Sequence, residues 1–156
     1  MQILRNKEHP IISCGLNQGN YEIKELPTSV GREKVRIWNK PMKEGTYVTI
    51  DASLSKVDDW VVRKAGPMDW ILGMLVNDPE PKIDKEMERG DIEFYGEIYR
   101  LPLAPDNDQI EPGYNIKITY AGADANTDGE FISLEPHLAS DSLAYIEVYV
   151  PFAKLF

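Results

Sequence analysis

Polar and apolar residues alternate along three stretches of the chain. In Tyr114–Tyr120, Ile116 and Ile118 fall on one side, and Asn115, Lys117 and Thr119 on the other. In Asp91–Leu101, Ile92, Phe94 and Ile98 oppose Glu93, Tyr95 and Glu97. In Ala144–Val150, Ile146, Val148 and Val150 oppose Tyr145, Glu147 and Tyr149. A repeat of two places successive side chains on opposite faces of a strand, so each stretch predicts a sheet with one buried face. Tyrosine on the second face needs no burial, because it is a good strand former and a common interface residue.

Shorter apolar runs predict further strands at Tyr21–Leu26, Lys34–Trp38, Thr46–Ile50, Val57–Val62, Trp70–Val76 and Phe131–Leu134. Within Trp70–Val76 nearly every residue is apolar, as in a strand buried on both faces, and Gly73 marks a bulge or a close approach. About nine strands result, separated by segments that hold most of the eleven glycines and eleven prolines. One helix candidate, Lys82–Arg89, is short and highly charged. The chain therefore reads as all-β, a compact barrel or sandwich. Gly45 and Gly113 each precede an alternating strand, which predicts a tight turn feeding a strand twice. Residues 1–33 are rich in turn formers and weakly periodic. They read as an irregular arm, able to pack on a neighbouring molecule, with a peripheral strand on the chain's own barrel as the other reading. Residues 34–156 form the β-rich domain.

Charge narrows the partners. Seventeen Lys and Arg face 26 Asp and Glu, for a formal charge of −9. Nucleic-acid backbones and anionic membrane surfaces reward positive charge, so both are disfavoured. The first ten residues lack the apolar core of a signal peptide, and no run approaches a membrane span. A single cysteine permits no intrachain disulfide.

Candidate chemistry is sparse. Residues 124–135 match the spacing of an EF-hand calcium loop: Asp124, Asn126 and Asp128 at the first, third and fifth positions, Gly129 at the sixth, Glu130 at the seventh and Glu135 at the twelfth. No helix precedes the loop, Ile132 stands at the ninth position, and Pro136 follows directly. A hairpin turn at Asn126–Gly129, flanked by Asn115–Tyr120 and Glu130–Leu134, accounts better for the same residues. The acidic pairs Asp58 with Asp59, Asp78 with Glu80, and Asp106 with Asp108 read as solvated surface. Glu93 and Glu97 would stand about 13 Å apart on one strand face, too far for a glycosidase pair. Cys14 and His9 lie in the N-terminal segment and His137 follows Pro136, with no pattern that orients a nucleophile or base. Trp38, Trp60 and Trp70 serve a core or an interface, or else a sugar-binding platform, with Trp60 and Trp70 bracketing a candidate hairpin. No residue is assigned to catalysis, to a cofactor or to a metal, and the reading is non-enzymatic.

The run from Gly45 through Asp51, Lys56 and Val57 to Ile71, Gly73 and Leu75 resembles the small head-decoration, or cement, proteins of tailed bacteriophages. Val48 and Ile50 complete the pattern: a glycine turn, a strand ending in Asp, a short loop and strand, then a strand with a central glycine. The likeness spans residues 41–78. It implies a structural capsid decoration protein on the outer surface of the virion head. By that likeness the chain binds the major capsid protein, forms a homotrimer, and uses an N-terminal arm to tie subunits together. The segments 80–89 and 105–113 have no counterpart in that pattern. The alternative is a β-sandwich module binding carbohydrate or a receptor.

Overall fold

A computed structural model describes residues 4–5, 10–79, 88–105, 109–137, 145–151 and 153–155. Fifteen strands and no helix occur among them. In chain order they are β1 (Leu4–Arg5), β2 (Ile11–Asn17), β3 (Tyr21–Thr28), β4 (Gly31–Trp38), β5 (Tyr47–Ile50), β6 (Val61–Lys64), β7 (Trp70–Ile71) and β8 (Gly73–Leu75). There follow β9 (Arg89–Phe94), β10 (Ile98–Pro102), β11 (Asn115–Thr119), β12 (Gly122–Ala125), β13 (Phe131–Ser133), β14 (Tyr145–Tyr149) and β15 (Ala153–Lys154). The all-β reading holds, and its barrel form is explicit: β2-β6-β5-β8-β9 close on themselves.

The barrel is built largely from the segment that carries the family-like pattern. Val48, Ile50 and Leu75 are buried in its core. Gly73 sits where a Cβ would stand 2.0 Å from the backbone oxygen of Glu93. The glycine therefore lets β8 lie against β9, as the close-approach reading requires. Gly45 and Gly113 have φ of 89° and 92°, left-handed values that favour glycine, and each leads into a strand. Asp51 ends β5 by accepting from Asn17 Nδ2 at 2.8 Å and from the Ser53 and Leu54 amides.

The remaining body is a six-stranded sheet in the order β1-β10-β14-β13-β11-β12. A bridge from Leu103 to Ala123 brings its far strand back toward β10. Ile98, Ile132 and Tyr149 point into the barrel core, whereas Leu101, Ile116, Ile146 and Val148 fill a second core on the other face. Two small cores thus share one sheet, and Tyr149, on the face expected to need no burial, is only 1% exposed.

Several expectations are corrected. Residues 10–17 are not an arm: β2 pairs with β6 and β9 in the barrel wall, and Cys14 and Leu16 are fully buried. The division at residue 33 falls inside β4. The run 91–101 breaks into β9 and β10 across residues 95–97, where Gly96 lies so close to Val150 O that a Cβ would stand 1.9 Å from it. Trp70–Val76 divides into β7, paired with β15, and β8, paired with β5 and β9. Strand β6 begins at Val61, after a turn at Lys56–Asp59. Its ladder partners are β2 and β5, and β7 pairs with β15, so the segment between Trp60 and Trp70 is a strand followed by a loop at 65–69 and forms no hairpin. Most of the helix candidate, residues 82–87, lies outside the described residues, and Arg89 begins β9.

Candidate functional site

The feature that stands apart from this body is the β3–β4 hairpin. Eight residues on each strand pair from Tyr21↔Trp38 to Thr28↔Gly31, and a two-residue turn, Ser29–Val30, joins them. Every residue of β3 is exposed. Beyond each other, the two strands make next to no contact with any other described strand. Ile23, Leu26 and Ile37 are exposed, and Val30 at the tip is 95% exposed. An isolated two-stranded hairpin is at best marginally stable in water. Both outer edges of this one lack a strand partner among the described residues.

The root of the hairpin is fixed by buried polar contacts that the sequence did not signal. Glu88, itself buried, accepts from Trp38 Nε1 at 2.8 Å through one oxygen and from Gln18 Nε2 at 2.6 Å through the other. Gln18 Oε1 in turn accepts the Met42 amide at 2.9 Å. Tyr21 packs edge-on against Trp38 with centroids 5.0 Å apart, and the Arg36 guanidinium lies 4.7 Å from the Tyr21 ring centroid. The start of β3 and the end of β4 are thereby clamped to the barrel, while the tip extends away. The hairpin carries four Lys or Arg (Lys24, Arg32, Lys34, Arg36) against three Glu (Glu22, Glu25, Glu33), one net positive charge on a strongly acidic chain.

The residues of the calcium-type loop are dispersed along a sheet. Asp124 lies in β12 opposite Lys117, and its Oδ1 accepts the Ala125 amide. Asn126 Oδ1 accepts the Asp128 amide at 2.8 Å, and the Gly129 amide donates to Asn126 O, so Asn126–Gly129 is a turn as expected. It joins β12 to β13, because Gly122–Ala125 forms an extra strand; β13 then pairs with β11 on the side away from β12. Glu130 follows the turn. Glu135 is buried, and its carboxylate accepts the Glu147 amide at 3.1 Å, the Asp58 amide at 2.7 Å and Trp60 Nε1 at 3.4 Å. Both of its oxygens are thus engaged by N–H donors. Among the described residues no group of three or more His, Cys, Asp or Glu converges as metal ligands would.

Glu135 imposes on its neighbour. Burial, then the Glu135 charge, push the half-buried Glu147 carboxyl up to about 7, while Arg100, its ladder partner, pulls the other way. Asp59 pairs with Arg89 at 3.0 Å, and Asp58 adopts φ of 57°. Asp78 Oδ1 accepts the Glu44 amide at 2.6 Å. Glu80, Asp106 and Asp108 lie outside the described residues, as does His9. Glu93 and Glu97 do not share a strand, since the chain turns between them. Burial pushes the Cys14 thiol up to about 12, which leaves almost no thiolate at neutral pH. His137 is buried beside Ile110, and its Nδ1 has no hydrogen-bond partner among the described residues. Trp60 packs against Phe94 in the barrel core, so the three tryptophans do not form one exposed platform. Comparison with known proteins finds no matching family model, no similar curated protein and no similar solved structure.

Proposed function

We propose that the chain is a structural capsid decoration protein, non-enzymatic, that binds the outer surface of a tailed-phage head and stabilises contacts between major capsid protein subunits. The observation that carries the proposal is the clamped, outward hairpin. A compact body with a ribbon that leaves Ile23, Leu26, Val30 and Ile37 exposed, Val35 alone of its aliphatics being buried, and whose outer edges have no strand partner among the described residues, suits attachment to a neighbour better than turnover of a substrate. The hairpin supplies the arm, in place of the irregular N-terminus. A homotrimer would present three such ribbons at once, and linked weak contacts add to a firm hold. The acidic remainder of the chain limits association of crowded copies and repels nucleic acid.

The test is cosedimentation with expanded heads assembled from the major capsid protein of the genome the chain is taken from. Wild type is expected to pellet with heads and to sediment alone as a trimer. The double substitution Ile23→Asp with Val30→Asp alters two exposed positions, so the melting temperature stays and head binding falls at least tenfold. Heads that do not retain wild-type protein, or that retain the double variant equally well, would overturn the proposal.

A further inference from the structure

The outer wall of the barrel carries one row of side chains that crosses four strands. Ile11 in β2 stands opposite Glu93 in β9, Glu93 opposite Met74 in β8, and Met74 opposite Tyr47 in β5. Directly opposed residues share a sheet face, and this row alternates with Ile12, Ile92 and Leu75, which pack into the core. Ile11 is 62% exposed and Tyr47 45%. Asp91, two residues before Glu93 and opposite Ser13, extends the same face and is exposed. Arg89, on that face too, is taken up by Asp59 at 3.0 Å, whereas neither Glu93 nor Asp91 pairs with a cation among the described residues. The wall thus offers apolar side chains around two uncompensated carboxylates.

One face of the hairpin is the counterpart of that wall. By the β3–β4 register, Arg32, Lys34 and Arg36 line one face together with Ile23 and a single acid, Glu25. Arg32 reaches Glu25 only at 3.6 Å, and with side chains 75% and 49% exposed the pair is weak. Three cations therefore stand against one carboxylate beside an exposed aliphatic. The other face, which holds Leu26 and Ile37, sets Lys24 against Glu22 and Glu33 and has no such excess. Within one chain the two surfaces do not meet, because β3 and β4 make next to no contact with the barrel strands. Between copies they can. A two-stranded ribbon is marginal until something covers it, and a second copy is present wherever the first is. The same carboxylates that suit a basic ribbon repel a nucleic acid.

We propose that the basic face of the hairpin seats on the outer barrel wall of a second copy, Lys34 and Arg32 against Glu93 and Asp91, and Ile23 against Ile11 and Tyr47. The contact joins unlike surfaces, so its repetition closes a ring, and the trimer of the proposed function is one such ring. The opposite hairpin face and the Val30 tip stay outside the contact and remain open to a capsid. The inference rests on the self-association in that reading and not on what the ring attaches to.

The test is sedimentation velocity of the full chain alone, without heads, over a range of protein concentrations. Wild type is expected to sediment as a closed oligomer. Glu93→Arg on the wall and Lys34→Glu on the hairpin each keep the far-ultraviolet circular dichroism of the wild type and weaken association at least about tenfold, toward monomer. Both reversals on one chain rebuild the pair with its sense inverted and return the oligomer; a folding defect caused by either change is not rescued by the other. Lys24→Glu, on the opposite hairpin face, alters the net charge as Lys34→Glu does and leaves the oligomer in place. A monomeric wild type, single reversals that stay oligomeric, a double reversal that stays monomeric, or dissociation by Lys24→Glu would each overturn the proposal. Heads that do not retain an intact oligomer would overturn the capsid reading and leave this contact standing.

Discussion

Replacing Glu147 with glutamine should make the protein more stable, and only above mildly acidic pH. Glu147 lies in β14 opposite Arg100, and its own amide donates to the buried Glu135 carboxylate. Its carboxyl is raised from an ordinary 4.5 to about 7, first by burial and then by the Glu135 charge. The folded state therefore holds a proton that the unfolded chain releases earlier. Below about pH 4.5 both states are protonated and no cost exists; the cost grows between 4.5 and 7 and is complete above 7. Taken whole, that displacement would be worth about 3.4 kcal/mol. The side chain is only half-buried, and solvent screening brings a realistic figure down to about 1–2 kcal/mol. Glu147→Gln removes the charge while keeping shape and hydrogen-bonding capacity. Urea unfolding of both proteins should show near-equal stability at about pH 4.5 and a gain of about 1–2 kcal/mol for the variant at about pH 8. A difference independent of pH, or a variant less stable at the higher pH, would refute the placement of Glu147 beside a second buried carboxylate.

Two further outcomes are expected. Gly73→Ala places a methyl group against the Glu93 carbonyl, a backbone atom that cannot swing away; urea unfolding should register a loss of about 2–3 kcal/mol, and a loss below about 0.5 kcal/mol would contradict the close β8–β9 approach. Calcium should leave the thermal midpoint where a chelator leaves it, since both Glu135 oxygens already accept N–H donors; a rise of several degrees at millimolar calcium would instead assign an ion to residues 124–135.

The fold was legible in most of the stretches where side chains alternate strongly. Ile116, Ile146, Val148, Ile92 and Phe94 are buried, as their two-residue rhythm requires, whereas Ile118, expected on the same buried face as Ile116, is exposed near the end of β11. Strand β2 escaped because Gly15 weakens the strand pattern and Pro10 and Asn17–Asn20 surround it with turn formers, although Ile12, Cys14 and Leu16 alternate and could have disclosed it. Strand β12, Gly-Ala-Asp-Ala, consists of turn-like residues that pair only because β11 offers an edge. The shared sheet was invisible for another reason: a strand with a core on each face needs apolar residues on both, and Tyr145, Glu147 and Tyr149 read as a solvated face. The polar clamp at the hairpin root was not legible at all. Gln18, Trp38 and Glu88 are separated by tens of residues, and no spacing rule announces a carboxylate that accepts from both.

The hairpin's energetics bear on how such an arm can work. Ile23, Leu26 and Ile37 are each already partly covered, and Val30 is almost bare. Completing their burial at about 1.5–3 kcal/mol per fully buried side chain yields roughly 4–6 kcal/mol in all. Bringing two bodies together costs about 4–15 kcal/mol in lost freedom before any contact is counted. One ribbon therefore gains too little to hold a partner by side-chain burial alone; strand pairing along its edges, which have no strand partner among the described residues, adds directionality more than net energy, because it exchanges hydrogen bonds to water for hydrogen bonds to the partner. Three ribbons on one symmetric particle meet that cost largely once, after which the second and third contacts form at high effective concentration. If the chain assembles as the proposed trimer, cosedimentation should collapse when that trimer is dissociated, even with every hairpin intact. Undiminished head binding by a monomeric variant would show that the hold comes from some other surface.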